Sequence, residues 1–405
     1  MLAEQHNALH QRWLYTMKLI NFIIFFSIFL TIYFSVNFYI FIRGWQVIPK
    51  ESSLRTVYLV LFIFVSASYI FGRFLERLSI CSASDVCIWI GSFWLGLMLY
   101  LFLAVLLLDI VRAVNHFLPF LPAVLTENYQ QTKLIAFIAI LVMASGIVLA
   151  GHLNSLNPRI RELNIEIDKK AAQPLNIVLV TDIHLGTLIS NSRLNRMVQE
   201  INRIHPDIVL LGGDIVDEDL EPVIEKNLGE TLKAIGSKYG TFAITGNHEY
   251  IGGVEAAYRY LEDHNITVLR DRALKIGGFY LAGREDRSIH GFTGKRRKPL
   301  DRILEGVDKR YPLILMDHQP FGLREAAANG VDLQLSGHTH HGQLWPFNYI
   351  TSMIYELSWG YKRIGKSHFY VSCGFGTWGP PVRTGSRPEI VKITLTFTGR
   401  SVVRK

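Results

Sequence analysis

The sequence predicts an α/β domain preceded by four transmembrane helices, and two contrasts along the chain support this prediction. The 405 residues are 49% hydrophobic with a mean hydropathy of +0.22, which is high for a wholly soluble protein. After Asn157-Pro158 the long apolar stretches give way to short apolar runs that alternate with segments of helical periodicity. We therefore divide the chain into a membrane domain (1–151), a linker (152–174) and a polar domain (175–405).

Four apolar stretches approach or exceed the roughly 20 helical residues that cross a bilayer: residues 17–42, 56–72, 86–110 and 134–151. The first is too long for a signal peptide and lacks a small-residue cleavage site, so it should remain as an anchor. An even number of spans places both termini on one side. Eight basic residues flank the spans on that side and five on the other. This excess favours a protein of the cell membrane whose polar domain lies on the cytoplasmic side. Asp109, near the end of the third span, is either functional or, as we favour, an interfacial partner of Arg112.

The charge balance gives a first indication of partners. The net charge of +8 predicts weak attraction to anionic lipid or to phosphate-bearing substrates, and it is no signature of specific nucleic-acid binding. With only three cysteines in the chain, a disulfide framework for the polar domain is excluded.

Polar side chains of metal-binding type follow five predicted strands. The first two strands are joined by a helix, and a right-handed crossover makes them parallel, so their carboxyl ends meet at one edge of a sheet. If the chain stays extended after a strand, residues two apart point the same way. The residues at the five strand ends are Asp182 with His184, Asp214, Asn247 with His248, His318, and His338 with His340.

These motifs, taken in order, resemble those of the calcineurin-like metallophosphoesterases, in particular membrane-anchored bacterial members. The quoted motifs are D-x-H at 182–184, G-D at 213–214, G-N-H-E at 246–249, His318, and G-H-T-H at 337–340. The resemblance covers residues 175–397 and implies a two-sheet sandwich flanked by helices.

The resemblance also implies two divalent metal ions. It assigns Asp182, His184 and His340 to one ion, Asn247, His318 and His338 to the other, and Asp214 to both. Mixed imidazole, carboxylate and amide ligands suit Mn, Fe, Zn or Co, among which we favour Mn.

Two such ions can activate a bridging hydroxide that attacks phosphorus, and His248, which is next to a ligand but is not itself one in the family, is the candidate general acid for the leaving group. Asp217 occupies the place of an orienting carboxylate, with a cap of a helix or loop as the alternative. The protein phosphatases of this superfamily carry an Asp-Arg-Gly sequence after the bridging Asp, whereas this chain reads GDIVDEDL. This difference favours a phosphodiester or pyrophosphate over a phosphoprotein.

Several features leave the substrate open. The basic loop 294–299 either meets anionic headgroups or is a solvated surface, and Arg383 and Arg387 either contact phosphate or form a structured loop. His341 is either a bystander or a substrate contact. We expect an enzyme acting near the bilayer on a lipid or envelope precursor. The alternatives are a sensor or scaffold that binds without turnover and a membrane-tethered nuclease.

Overall fold

The computed structural model describes residues 2–169 and 173–399, apart from the side chains of residues 2–22, 25 and 126. Residues 170–172 of the expected linker and 400–405 of the expected polar domain lie outside the described residues. Of the basic residues that predicted the orientation, the side chains of Arg12 and Lys18 and the whole of Lys170 also lie outside them.

Within the described residues, four helices are long and apolar enough to cross a membrane, judged by length and composition. They are α1 (Leu2–Trp45, with a span at Phe26–Trp45), α2 (Leu54–Leu78), α3 (Ser82–Phe117) and α5 (Tyr129–Ser155), and a short α4 (Ala123–Glu127) precedes α5. This confirms the four predicted spans, although α2, α3 and α5 all extend beyond the predicted bounds at both ends and the first span, Phe26–Trp45, is shifted toward the C-terminus. Helices α2 and α3 pack closely against each other at Gly91, where a Cβ atom would overlap Tyr69.

Asp109 on α3 forms an ion pair with Arg43 at 2.6 Å and with Arg112 at 3.4 Å. The interfacial pairing expected with Arg112 is therefore present, and Arg43 on α1 adds a shorter one.

The polar domain contains two six-stranded sheets. The strand orders are β1-β12-β2-β3-β4-β5 and β10-β11-β9-β8-β7-β6. The strands are β1 (Arg159–Ile167), β2 (Leu175–Val180), β3 (Ile208–Gly212), β4 (Thr241–Ile244), β5 (Ile266–Val268), β6 (Arg272–Ile276), β7 (Phe279–Gly283), β8 (Leu313–Met316), β9 (Leu333–Ser336), β10 (Gly360–Ile364), β11 (Ser367–Val371) and β12 (Glu389–Phe397).

Helices cover and connect these sheets. They are α6 (Asn191–Ile204), α7 (Glu221–Glu225), α8 (Leu228–Lys233), α9 (Asn247–Gly252), α10 (Val254–Asp263), α11 (Ile289–Thr293), α12 (Leu300–Ile303), α13 (Leu323–Ala328) and α14 (Phe347–Ile354), with a 3₁₀ turn at His340–Gly342. Asn227, with φ 49°, separates α7 from α8.

The linker expected over 152–174 is wrong in part. Residues Arg159–Ile167 form β1, which runs parallel to β12 over its whole length. Toward the end of β1, buried and exposed side chains alternate, and Ile165 and Ile167 pack against the core of the sheet, as expected of a half-buried strand. The membrane domain is thus connected to the first sheet through β1.

The strands that precede the candidate site are buried on both faces. Along β2, Ile177 and Leu179 face the core between the sheets, whereas Val178 and Val180 face the core under the helices. All four are fully buried, and each contributes about 1.5 to 3 kcal/mol of apolar burial. The predicted parallel pairing of β2 and β3 is confirmed.

Residues 378–386, here called the docking loop, join the polar domain to the membrane domain. Val382 packs beside Gly96 of α3 and Gly151 of α5, where a Cβ at Gly151 would lie 2.6 Å from its side chain. The Arg383 N–H donates to the carbonyl of Gly151 at 2.9 Å, and Asn154 Nδ2 donates to the Arg383 carbonyl at 2.8 Å. The loop is therefore held by both packing and hydrogen bonds.

Candidate active site

The candidate residues stand together at the carboxyl ends of β2, β3, β4, β8 and β9. Five of them have positive φ: Asp182 (52°), His184 (52°), Asp214 (50°), His338 (72°) and His340 (45°). The expectation that the chain stays extended after its strands is therefore wrong at both D-x-H and G-H-T-H. Left-handed backbone is uncommon for these residue types and costs free energy, so its concentration here marks a functional site.

The first cluster consists of Asp182, His184 and His340, whose potential ligand atoms lie within 4.8 Å of one another. The Nε2 atoms of His184 and His340 face each other at 3.0 Å, and Asp182 Oδ1 lies 3.7 Å from His340 Nε2. Asp182 Oδ2 is buried and has no hydrogen-bond partner among the described residues. A cation would satisfy this oxygen, so the cluster fits a metal ion.

The second cluster consists of Asp214, His318 and His338. His318 Nδ1 lies 2.8 Å from the Gly212 carbonyl, to which it donates, so Nε2 faces Asp214 Oδ2 at 3.0 Å. When the imidazole is neutral, Nε2 turns a lone pair toward this oxygen. Two acceptors at this distance need a proton or a cation between them. Asn247 Oδ1 lies 2.7 Å from His338 Nδ1 and completes the set.

Asp214 belongs to both sides of the site. A third group of potential ligand atoms within 4.8 Å contains Asp214, His184 and His248. Burial raises the pKa of Asp214, but the neighbouring His318 and His248 outweigh it and hold this pKa well below its usual range. The carboxylate is therefore ionised between the two clusters.

Asp217 and His248 form a pair beside the clusters. His248 Nδ1 lies 3.0 Å from Asp217 Oδ1, which is also 3.5 Å from His184 Nδ1. Burial lowers the pKa of His248, but the charges of Asp214 and Asp217 outweigh it and raise this pKa to about 9. His248 thus carries a proton at neutral pH and is held in place by Asp217. These contacts give no support to the alternative that Asp217 caps a helix or loop.

Three residues that sequence reasoning assigned no such role also build the site. Glu249 accepts hydrogen bonds from the N–H groups of Ile215 (2.6 Å), Val216 (2.9 Å) and Gly246 (2.7 Å), and so ties two of the ligand loops together. The G-N-H-E motif already contained it.

The other two are Arg73 and Glu76, on α2. Arg73 Nη2 lies 3.1 Å from Asp217 Oδ2, and Glu76 accepts a hydrogen bond from Thr187. No local pattern in the sequence connects these positions, which are more than 100 residues apart.

Arg383 does not line the cleft as a phosphate ligand, which corrects one of the two expectations for it. It is fully buried, and it donates to the carbonyls of Cys373 (2.7 Å) and Gly376 and to His340 Nδ1 (2.9 Å). Burial, followed by the charge of Arg383, holds the pKa of His340 well below its usual value. Arg383 thus orients a neutral His340.

Other predicted residues lie away from the clusters. Arg387 donates to the Asn157 carbonyl at 3.0 Å, and His341 Nδ1 lies 3.0 Å from Ser358 Oγ. These contacts favour the structured-loop interpretation of Arg387 and the bystander interpretation of His341.

The basic loop 294–299 helps to form a concavity of about 390 Å³ lined by Arg287, His290, Arg296 and Arg297. Arg297 pairs with Asp317 at 2.8 Å. Among the described residues no carboxylate lies within ion-pair distance of Arg287 or Arg296. Asp286, next to Arg287, accepts a hydrogen bond from Gln319 at 2.9 Å. Gln319 follows His318, so this cationic pocket adjoins the second cluster.

Comparison with known proteins decides the family. The sequence model of the calcineurin-like phosphoesterases matches residues 175–342. An uncharacterised metallophosphoesterase of Aquifex aeolicus is 34% identical over 267 residues, which are 65% of this chain and 99% of the relative. The chain belongs to the calcineurin-like phosphoesterase family. This confirms the resemblance and the two-sheet fold expected from it.

Two further relatives extend the comparison. An uncharacterised metallophosphoesterase of Helicobacter pylori strain J99 is 36% identical over 244 residues, 59% of this chain and 64% of the relative. The chain thus spans less than two thirds of that relative. A transmembrane protein with metallophosphoesterase domain from Danio rerio is 29% identical over 293 residues, 67% of this chain and 64% of the relative. Together with the four apolar helices, this indicates a membrane protein.

The calcineurin-like phosphoesterase domain implies a binuclear divalent metal site and a metal-dependent phosphoesterase. The side chains present fit both, because aspartates and histidines from the carboxyl ends of strands in both sheets come together, and several of their buried atoms lack other partners among the described residues.

Proposed function

We propose that this protein is a membrane-anchored hydrolase that cleaves a phosphodiester or pyrophosphate bond in an amphiphilic, lipid-linked substrate. The observation that carries the proposal is the position of Asp214, which belongs to the second cluster and also lies within ligand distance of His184 of the first cluster and of His248. Asp182, His184 and His340 would hold one ion, and Asn247, His318 and His338 the other. When bound, two such ions activate a water molecule and neutralise phosphoryl oxygens, and we favour Mn²⁺ in this role.

The protein's own residues supply the remaining steps. His248 holds a proton next to the clusters and is positioned to deliver it to the departing oxygen, while Asp217 keeps the imidazole in place. Glu249 and Arg383 fix the loops and the His340 ring, so that little rearrangement is needed during the reaction.

Two observations support the choice of bond and substrate. The bridging Asp is followed by Ile-Val-Asp, without the arginine of the protein phosphatases. The pocket formed by Arg287, His290, Arg296 and Arg297 can receive a second anionic group, as a pyrophosphate or a charged headgroup provides. The excess of basic residues beside the termini supports placing the catalytic domain on the cytoplasmic side of the cell membrane.

A substrate panel on full-length protein tests the proposal. Protein purified in detergent and loaded with Mn²⁺ should hydrolyse an activated phosphodiester and a lipid-linked pyrophosphate faster than a phosphoprotein or an oligonucleotide. Asp214→Asn should abolish turnover, because it disturbs both ligand clusters, while Asp308→Asn, on a loop at the opposite edge of the sheet, should not. Ligand binding without turnover of any substrate would support a sensor, and preference for the oligonucleotide would support a nuclease.

A further inference from the structure

Helix α14 presents an apolar surface that the proposed reaction does not use. Residues 342–355 contain no Asp, Glu, Lys or Arg. Every residue of α14 is at least partly exposed, Met353 to 78% and Ile354 to 58%. The exposed large side chains of this surface, here called the α14 face, are Trp345, Phe347, Tyr349, Ile350, Met353 and Ile354. So large an apolar patch indicates an interaction surface.

The chain just before α14 enters the membrane domain. Leu344 belongs to one buried apolar cluster with Tyr100 of α3, Val148 of α5 and Val382 of the docking loop. The Tyr100 hydroxyl donates to the carbonyl of Trp345 at 3.1 Å. Tyr100 lies about five turns after the start of α3, and Val148 about two turns before the end of α5. The segment that begins the α14 face is therefore level with residues inside the candidate spans.

We propose that the α14 face is immersed in the acyl-chain layer of the bilayer, beside α3 and α5. It adjoins these helices at exposed Trp345, whose carbonyl accepts the hydrogen bond from Tyr100 of α3. A surface without charged side chains suits the acyl-chain layer, which offers such groups no partners, whereas protein interfaces carry a polar rim. Trp345 and Tyr349 supply the aromatic side chains that favour the boundary between acyl chains and water.

This immersion brings the active site to the membrane surface. The 3₁₀ turn His340–Gly342 leads into α14, and exposed Trp378 of the docking loop packs edge-on to His248 at 5.8 Å between ring centroids. The cleft and the α14 face thus share one rim. A substrate anchored by acyl chains would reach the cleft without leaving the bilayer; this consequence rests on the proposed function, while the immersion itself does not.

Fluorescence quenching tests the immersion. Met353→Cys is labelled with bimane in full-length protein that carries Cys81→Ser and Cys87→Ser, with buried Cys373 retained, and is reconstituted in phosphatidylcholine vesicles. We expect brominated acyl chains to remove most of the emission and aqueous iodide to remove little of it. Lys309→Cys, on an exposed loop at the opposite edge of the sheet, is the control and should show the reverse.

Two results would overturn the proposal. The label at Met353 could be quenched by iodide as strongly as the label at Lys309, which would place the face in water. Alternatively, it could resist both quenchers and show energy transfer between differently labelled copies, which would show that a second copy of this chain covers the face. Since no substrate is present, the result does not depend on whether the proposed reaction is correct.

Discussion

Arg73, on the second apolar helix, lies 3.1 Å from Asp217 at the active site. The side chain of Asp217 contacts His248 and His184 with its other oxygen, so one carboxylate connects the membrane domain to the candidate general acid. Arg73 is also within 2.9 Å of Glu76, which binds Thr187. The membrane domain therefore contributes two side chains, Arg73 and Glu76, to the surroundings of the candidate active site.

Replacement of Arg73 by Gln should lower kcat by about 10- to 100-fold with a smaller change in KM, because Asp217 loses its cation and holds His248 less firmly. Arg73→Lys should recover part of the rate. The matched control is Arg77→Gln, one helical turn away on α2 with an exposed side chain, and it should retain full activity. Steady-state kinetics on a soluble phosphodiester would measure all three, and equal activity of Arg73→Gln and wild type would refute the positioning role.

The sequence alone was sufficient for the strand ends of the site. Short apolar runs such as 177–180 and 208–212, separated by a helical period, favour buried parallel strands, and the polar residues after such strands meet at the carboxyl edge of the sheet. The family resemblance assigned His338 and His340 to different ions, and the structure places them in different ligand groups, although the chain is not extended between them. A strand pattern does not specify the positive φ values that turn these residues inward.

Contacts between distant segments could not be predicted in this way. Arg73 and Asp217 are separated by 144 positions, and Arg383 reaches His340 from the docking loop. Neither contact follows from the periodicity of a helix or a strand, which relates only residues that are near each other in the sequence. The same holds for β1, whose alternation is visible in the sequence but whose partner, β12, lies at the far end of the chain.

Chelation should inactivate and destabilise the protein. Asp182, Asp214 and Asp217 are buried close together, and removal of the two cations would leave their mutual repulsion uncompensated. We expect prolonged treatment with EDTA to abolish hydrolysis and lower Tm, and added Mn²⁺ to restore both. A ligand present at 100 times its Kd raises the free energy of unfolding by about 2.7 kcal/mol, and we expect Mn²⁺ to stabilise the protein by a similar amount. In Asp214→Asn, Mn²⁺ should raise Tm much less, and an equal rise in both proteins would argue against these ligands.

The proton on His248 predicts an alkaline limit to activity. The pKa of His248 is raised to about 9, so the protonated form that donates to the leaving group is lost as pH rises through this value. Bound cations repel the imidazolium and move this limit below pH 9. Activity on a substrate with a poor, alkoxide-type leaving group should therefore fall on the alkaline side. With p-nitrophenolate, which needs no proton, the fall should be weaker, and a His248→Gln variant should not show it at all. An identical alkaline limit in wild type and His248→Gln would exclude this role.

The cationic pocket beside the second cluster should select substrates with more than one anionic group. Arg287 and Arg296 lack a carboxylate partner among the described residues, so an incoming phosphate would relieve the repulsion within the pocket. The double variant with Arg287→Gln and Arg296→Gln should raise KM for a pyrophosphate substrate by about 100-fold or more, since each lost charge-assisted hydrogen bond costs about 1.5 to 3 kcal/mol. KM for a singly charged phosphodiester should change little. Arg310→Gln is the control, since Arg310 is exposed and pairs with Asp308 far from the site. Equal increases in KM for both substrates would mean that the pocket acts on the fold or on the net charge and not on a second phosphate.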